Sequence, residues 1–136
     1  MPSFGKKSLS NYETLDIKLQ LICDEVIKHY DFTILEGHRT RETHEEYLAK
    51  KRTRVPYSRT KHRHNPSQAM DVAPWPIPHK WGDVEWKDRV HFYELAALIK
   101  YEAKRKGIGI RWGGDWDSDN DYKDQTFDDL VHFELT

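Results

Sequence analysis

The chain has one cysteine, Cys23, so no intrachain disulfide can form. It has no apolar run near the roughly 20 residues that a membrane-crossing helix requires. The N-terminal stretch MPSFGKKSLSNYETL has no apolar core of the secretory kind. The expectation is therefore a chain made in the cytoplasm without a signal peptide, with no membrane insertion. Any target outside the cytoplasm would be reached only after separate release. A strong charge of one sign is also lacking: 33% of residues are charged, yet the net charge is −1, which argues against a dedicated nucleic-acid binder. There are no internal repeats and no low-complexity linker.

The 136 residues suit one domain, 1–136. A chain of this size buries roughly two-thirds of the surface it exposes when unfolded, enough to fold without covalent staples. Cys23 sits among apolar residues at helical spacing and reads as a small buried hydrophobe.

Leu15, Leu19, Ile22 and Val26 predict an amphipathic helix over Thr14 to His29. Phe32 to Leu35, ending at Gly37, suits a strand. Thr43 and Glu46 have capping-box spacing and predict a short helix to about Lys51. Ala69 to Ala73 alternates as a strand and is stopped by Pro74, Pro76 and Pro78. The longest helix is predicted from Asp88 to Lys106, with Gly107 placed to end it. Ile108 to Trp112 and Val131 to Leu135 read as further strands. Separated helices and short strands indicate an α+β fold.

A catalytic zinc usually takes three nitrogen or oxygen ligands and keeps one position for water. His64 in a loop, Asp71 on the strand seven residues later and His132 on the last strand form a candidate set. His132 and Glu134 share one face of their strand, with Phe133 and Leu135 on the other. Spacing alone is a weak signal in a chain with eight histidines.

Four segments strengthen it. His64-Asn-Pro-Ser-Gln-Ala-Met-Asp71 resembles the H-x6-D zinc motif of the M15 metallopeptidases. Asp129-Leu-Val-His132 resembles their closing D-x-x-H motif. Gly37-His-Arg39-Thr40 resembles their G-x-R-[ST] motif, and Arg111-Trp-Gly-Gly-Asp-Trp116 their W-G-G-D-W stretch. The order matches, and the group most resembled is the L-alanyl-D-glutamate endopeptidases, many of them phage endolysins.

The resemblance implies a Hedgehog-like fold with a small antiparallel sheet packed with helices. It implies one zinc ion on His64, Asp71 and His132, with Asp129 as catalytic base. Arg39 would stabilise the oxyanion or hold a substrate carboxylate. The substrate would be bacterial peptidoglycan, cut at the L-alanyl-D-glutamyl bond by a monomeric lysis enzyme that binds no nucleic acid. Two positions depart from the family pattern: His62 stands where Ser is usual, and Ser67 where Gly is usual. His62 is thus a rival ligand, although the seven-residue spacing favours His64, and Asp128 is a rival to Asp129.

Asp115, Asp117, Asp119 and Asp121 alternate. Oxygen ligands at loop positions 1, 3, 5 and 7 are how EF-hands hold calcium. Here the bidentate Glu at position 12 is replaced by Thr126, so calcium and a solvated acidic loop stand as alternatives. Trp75, Trp112 and Trp116 are candidates for a substrate groove, with core packing as the alternative. A D-alanyl-D-alanine carboxypeptidase or dipeptidase is the rival within the superfamily, though those more often close with Glu-x-x-His. A nucleic-acid-binding or nuclease module built on Arg52 to His64 is the rival of another class.

Overall fold

The computed structural model describes residues 2–77, 86–115 and 129–136. Helix α1 (Lys6–Tyr12) precedes helix α2 (Ile17–Val26) and strand β1 (Phe32–Glu36). Helix α3 (Arg41–Ala49), a short 3-10 turn (Lys61–Arg63) and strand β2 (Ala69–Pro74) follow. The long helix α4 (Trp86–Lys106) leads to strands β3 (Ile110–Gly113) and β4 (Asp129–Leu135). The strands form a four-stranded sheet in the order β1-β2-β4-β3, and every neighbouring pair is antiparallel. This is the expected α+β architecture with a small antiparallel sheet.

Period-two alternation divides the sheet into two faces. Ile34, Met70, Val72, Trp112 and Phe133 are fully or almost fully buried. They join Leu19, Ile22, Cys23 and Val26 of α2 and Leu95, Ala96 and Ile99 of α4 in one apolar core. Asp71 on β2 alternates with Met70 and Val72, and His132 and Glu134 on β4 alternate with Val131, Phe133 and Leu135. The polar side chains therefore share the face turned away from that core.

Cys23 is free and buried, with its Sγ 3.5 Å from the Met70 sulfur. Burial pushes its thiol well above the usual range, as for an unreactive core cysteine. No helix among the described residues is long and apolar enough to cross a membrane.

Element ends show which local signals won. The predicted first helix begins later, at Ile17, because Asp16 caps it: its side chain accepts from the Lys18 amide at 2.9 Å. Leu15 is instead bridged to Ser67, and the Asp16 amide donates to the Ser67 carbonyl at 2.9 Å. Helix α3 starts before the Thr43 box because Thr40 is the cap, accepting from the Thr43 amide at 3.2 Å. Gly107, at φ 69°, ends α4 in the left-handed conformation that glycine adopts without a Cβ penalty.

Candidate metal centre

Three elements aim side chains at one point on the polar face of the sheet. In the β2–β4 ladder Asp71 lies directly opposite His132. Directly opposed side chains on one face are close enough to interact, and His132 Nδ1 is 3.2 Å from Asp71 Oδ1. The third member is His62, from the 3-10 turn. Its Nε2 is 3.2 Å from Asp71 Oδ1 and 3.3 Å from His132 Nδ1.

His62 is pinned twice. Its carbonyl accepts from the Arg39 amide at 2.8 Å, and its Nδ1 faces the Gly37 carbonyl at 2.7 Å. Gly37 has to be glycine for this approach. A Cβ there would collide with the Thr14 hydroxyl and come within 2.9 Å of the Asn11 carbonyl oxygen.

These contacts fix which nitrogens carry protons. A carbonyl oxygen only accepts, so His62 Nδ1 is the donor and Nε2 presents its lone pair to the centre of the group. His132 Nε2 faces Glu134 Oε1 at 2.9 Å and donates to it, which turns Nδ1 toward the same centre. Two imidazole lone pairs and a carboxylate oxygen then converge and require a cation or extra protons between them. Donor atoms about 2.0–2.1 Å from a tetrahedral zinc stand roughly 3.3–3.4 Å apart. The observed separations of 3.2–3.3 Å fit that spacing, so these residues fit a zinc ion. Among the described residues, His62, Asp71 and His132 are the group able to hold a metal.

His64, the ligand expected from the seven-residue spacing, lies outside this group. The chain leaves the 3-10 turn at His64 in an extended conformation, φ −69° and ψ 148°. His62 lies within the turn and is buried, whereas His64 lies past its end. His64 is partly exposed. Its ring is held below the usual histidine range by burial and by the Arg63 and Lys61 charges, and its carbonyl lies 3.0 Å from His38 Nδ1.

Protonation in the metal-free group follows the contacts. Burial opposes the charged form of Asp71, but His62 and His132 outweigh it and hold the carboxyl far below its usual range. Burial likewise works against a charged His132. Hydrogen bonds to Asp71 and Glu134 overcome that and lift it to about 9. Asp129, at the start of β4, is raised to about 6 by burial and by the Asp71 charge, against the opposing pull of His132 and His62. A carboxyl tuned upward beside the ligands is suited to accepting a proton near neutrality. Its backbone sits against Gly113, where a Cβ would collide with the Asp129 carbonyl oxygen. Asp128 lies outside the described residues.

Arg39 is buried and every guanidinium nitrogen is engaged. Nε meets Glu36 Oε1 at 2.5 Å, Nη1 meets His44 Nδ1 at 3.0 Å and Nη2 lies 3.8 Å from Asp71 Oδ2. Its guanidinium also stacks over Tyr47, 4.8 Å from the ring centroid. His44, which carries no motif of its own, is fully buried, with Nε2 2.6 Å from the Val55 carbonyl.

The tryptophan expectations divide. Trp112 is a core residue, 1% exposed. It stacks on Phe133 and donates to the Leu130 carbonyl at 2.9 Å, so it lines no groove. Trp75 is 56% exposed just after β2. Trp116 and the acidic positions Asp117, Asp119 and Asp121 lie outside the described residues. Asp115 is buried and pairs with Lys100 at 3.6 Å.

Comparison with known proteins shows the family and the fold. The family described as phage L-alanyl-D-glutamate peptidase matches residues 2–136. The L-alanyl-D-glutamate peptidase of Escherichia phage T5 is 30% identical over 124 residues, which are 90% of this chain and 87% of that protein. The crystal structure of Serratia marcescens L-Ala D-Glu endopeptidase ChiX shares the fold. The TM-score is 0.73 at 22% identity, covering 98% of this chain and 90% of that one.

Proposed function

Because the chain belongs to the phage L-alanyl-D-glutamate peptidase family, we propose that it hydrolyses the L-alanyl-D-glutamyl bond of peptidoglycan stem peptides with one zinc ion held by His62, Asp71 and His132. The observation that carries this reading is the convergence of two imidazole lone pairs and a carboxylate oxygen within 3.3 Å of one another.

Bound there, zinc would acidify a water and polarise the scissile carbonyl. The chain's own residues do the rest. Asp129, raised to about 6, takes the proton from the attacking water and returns one to the leaving D-glutamyl nitrogen. Arg39 supplies a fixed positive charge beside Asp71 on which the developing oxyanion or a substrate carboxylate can rest. Glu36 and His44 hold its guanidinium plane, so little reorganisation is needed when that charge develops.

The test is mass spectrometry of digested peptidoglycan together with elemental analysis of the protein. Wild type is expected to carry one zinc and to release stem peptides with a new D-glutamyl amino end. Asp129→Ala is expected to keep the zinc and release none. Release of terminal D-alanine instead would make the protein a carboxypeptidase, and full activity in Asp129→Ala would assign the base elsewhere.

A further inference from the structure

Glu134 takes no part in the ligand triangle, yet it is built into it. It lies two residues beyond His132 on the same face of β4, is 7% exposed, and receives His132 Nε2 on Oε1 at 2.9 Å. Its other oxygen is held by two cations: Arg111 Nη2 at 2.9 Å from the neighbouring strand β3, and Lys61 Nζ at 3.6 Å. Lys61 also donates to the Leu135 carbonyl. The register places Arg111 directly opposite Glu134, and Lys61 immediately precedes His62.

We propose that Glu134 is the positioning residue of the metal centre. It fixes His132 in the tautomer that presents Nδ1 to the ion. Through Lys61 it clamps the turn carrying His62 against the strand carrying His132. An imidazole bonded through one nitrogen to a carboxylate is oriented and made a stronger ligand through the other. A free Glu134 carboxylate would swing and let the ring flip. With Arg111 and Lys61 on its second oxygen, only Oε1 faces the ring. This inference rests on the zinc reading above.

The test is a zinc titration against a chromophoric chelator, with the absorption spectrum of the cobalt-substituted protein as a second readout. Glu134→Ala is expected to bind zinc roughly 10–100-fold more weakly, the range for loss of such an outer partner, and to alter the cobalt spectrum. Glu134→Gln keeps an acceptor for His132 but loses the anchoring charge, so it should fall between Glu134→Ala and wild type. Arg111→Ala, which removes a half-exposed side chain, should weaken zinc by a smaller factor. Folded Glu134→Ala with wild-type zinc affinity and spectrum would overturn the positioning role alone. Wild type that binds no zinc would overturn the metal reading as well. Should Glu134→Ala fail to fold, Glu134→Gln and Arg111→Ala decide by the same titration, and wild-type affinity in both would overturn the proposal.

Discussion

Asp71 and His132 are direct cross-strand partners in the β2–β4 ladder, with Oδ1 and Nδ1 3.2 Å apart. The register that closes the centre of the sheet therefore also assembles two members of the proposed site. A one-residue slip would send both side chains to the opposite face. Met70 and Phe133, the neighbours of Asp71 and His132, are packed in the core. Their burial resists that slip, so core packing and site geometry have one origin.

Zinc affinity should rise with pH. The ligand nitrogen must shed a proton to bind the metal, and His132 in the metal-free site titrates at about 9. Asp71 is already ionised far below neutrality and adds no slope. The sign follows: below about 9, each unit of pH gained should tighten zinc about tenfold for one displaced proton, and the rise should level off above it. A chelator competition from pH 6 to 10 measures this. A flat profile would mean that His132 gives up no proton on binding.

Trp112→Ala should act on stability rather than on substrate. A buried, stacked tryptophan truncated in a core costs about 3–5 kcal/mol, and Trp112 is 1% exposed. Trp75→Ala, at a half-exposed position, should change stability by less than about 0.5 kcal/mol. Urea unfolding of the two variants checks the contrast, and equal midpoints would remove Trp112 from the core.

Gly113→Ala should disturb the segment that holds Asp129. The added methyl meets the Asp129 carbonyl oxygen, so β3 and the start of β4 would have to part. Overpacking of this kind costs about 1–3 kcal/mol. Activity should fall further than zinc content, because Asp129 is no ligand. Unchanged thermal unfolding and unchanged wall lysis would show that the strands are not so tightly apposed.

The strands were legible because their side chains follow a strict period. Met70 and Val72 against Asp71, and Phe133 and Leu135 against His132 and Glu134, announce their faces without any tertiary knowledge. Helix α1 was not legible. KKSLSNY offers only Leu9, which is exposed, and Tyr12 at its last position, too few apolar residues to show a helical period. The helix is also tied down by Ser8, whose hydroxyl meets Thr33 Oγ1 at 2.8 Å and the Ile34 amide at 3.1 Å. Such long-range polar contacts leave no local periodicity.

Linear spacing also could not decide between His62 and His64. Both precede Asp71 by a short interval, and the choice depends on where the 3-10 turn ends. The Glu134 clamp was hidden for a related reason. Arg111 and Glu134 are 23 positions apart, and only the β3–β4 register makes them partners.

Zinc stoichiometry of wild type, His62→Ala and His64→Ala tests the account most directly. One equivalent of zinc is predicted in wild type and in His64→Ala. His62→Ala should lose zinc by more than the roughly 10–100-fold that removal of an outer partner costs. Zinc retained in His62→Ala and lost in His64→Ala would contradict the assignment and return the ligand to residue 64.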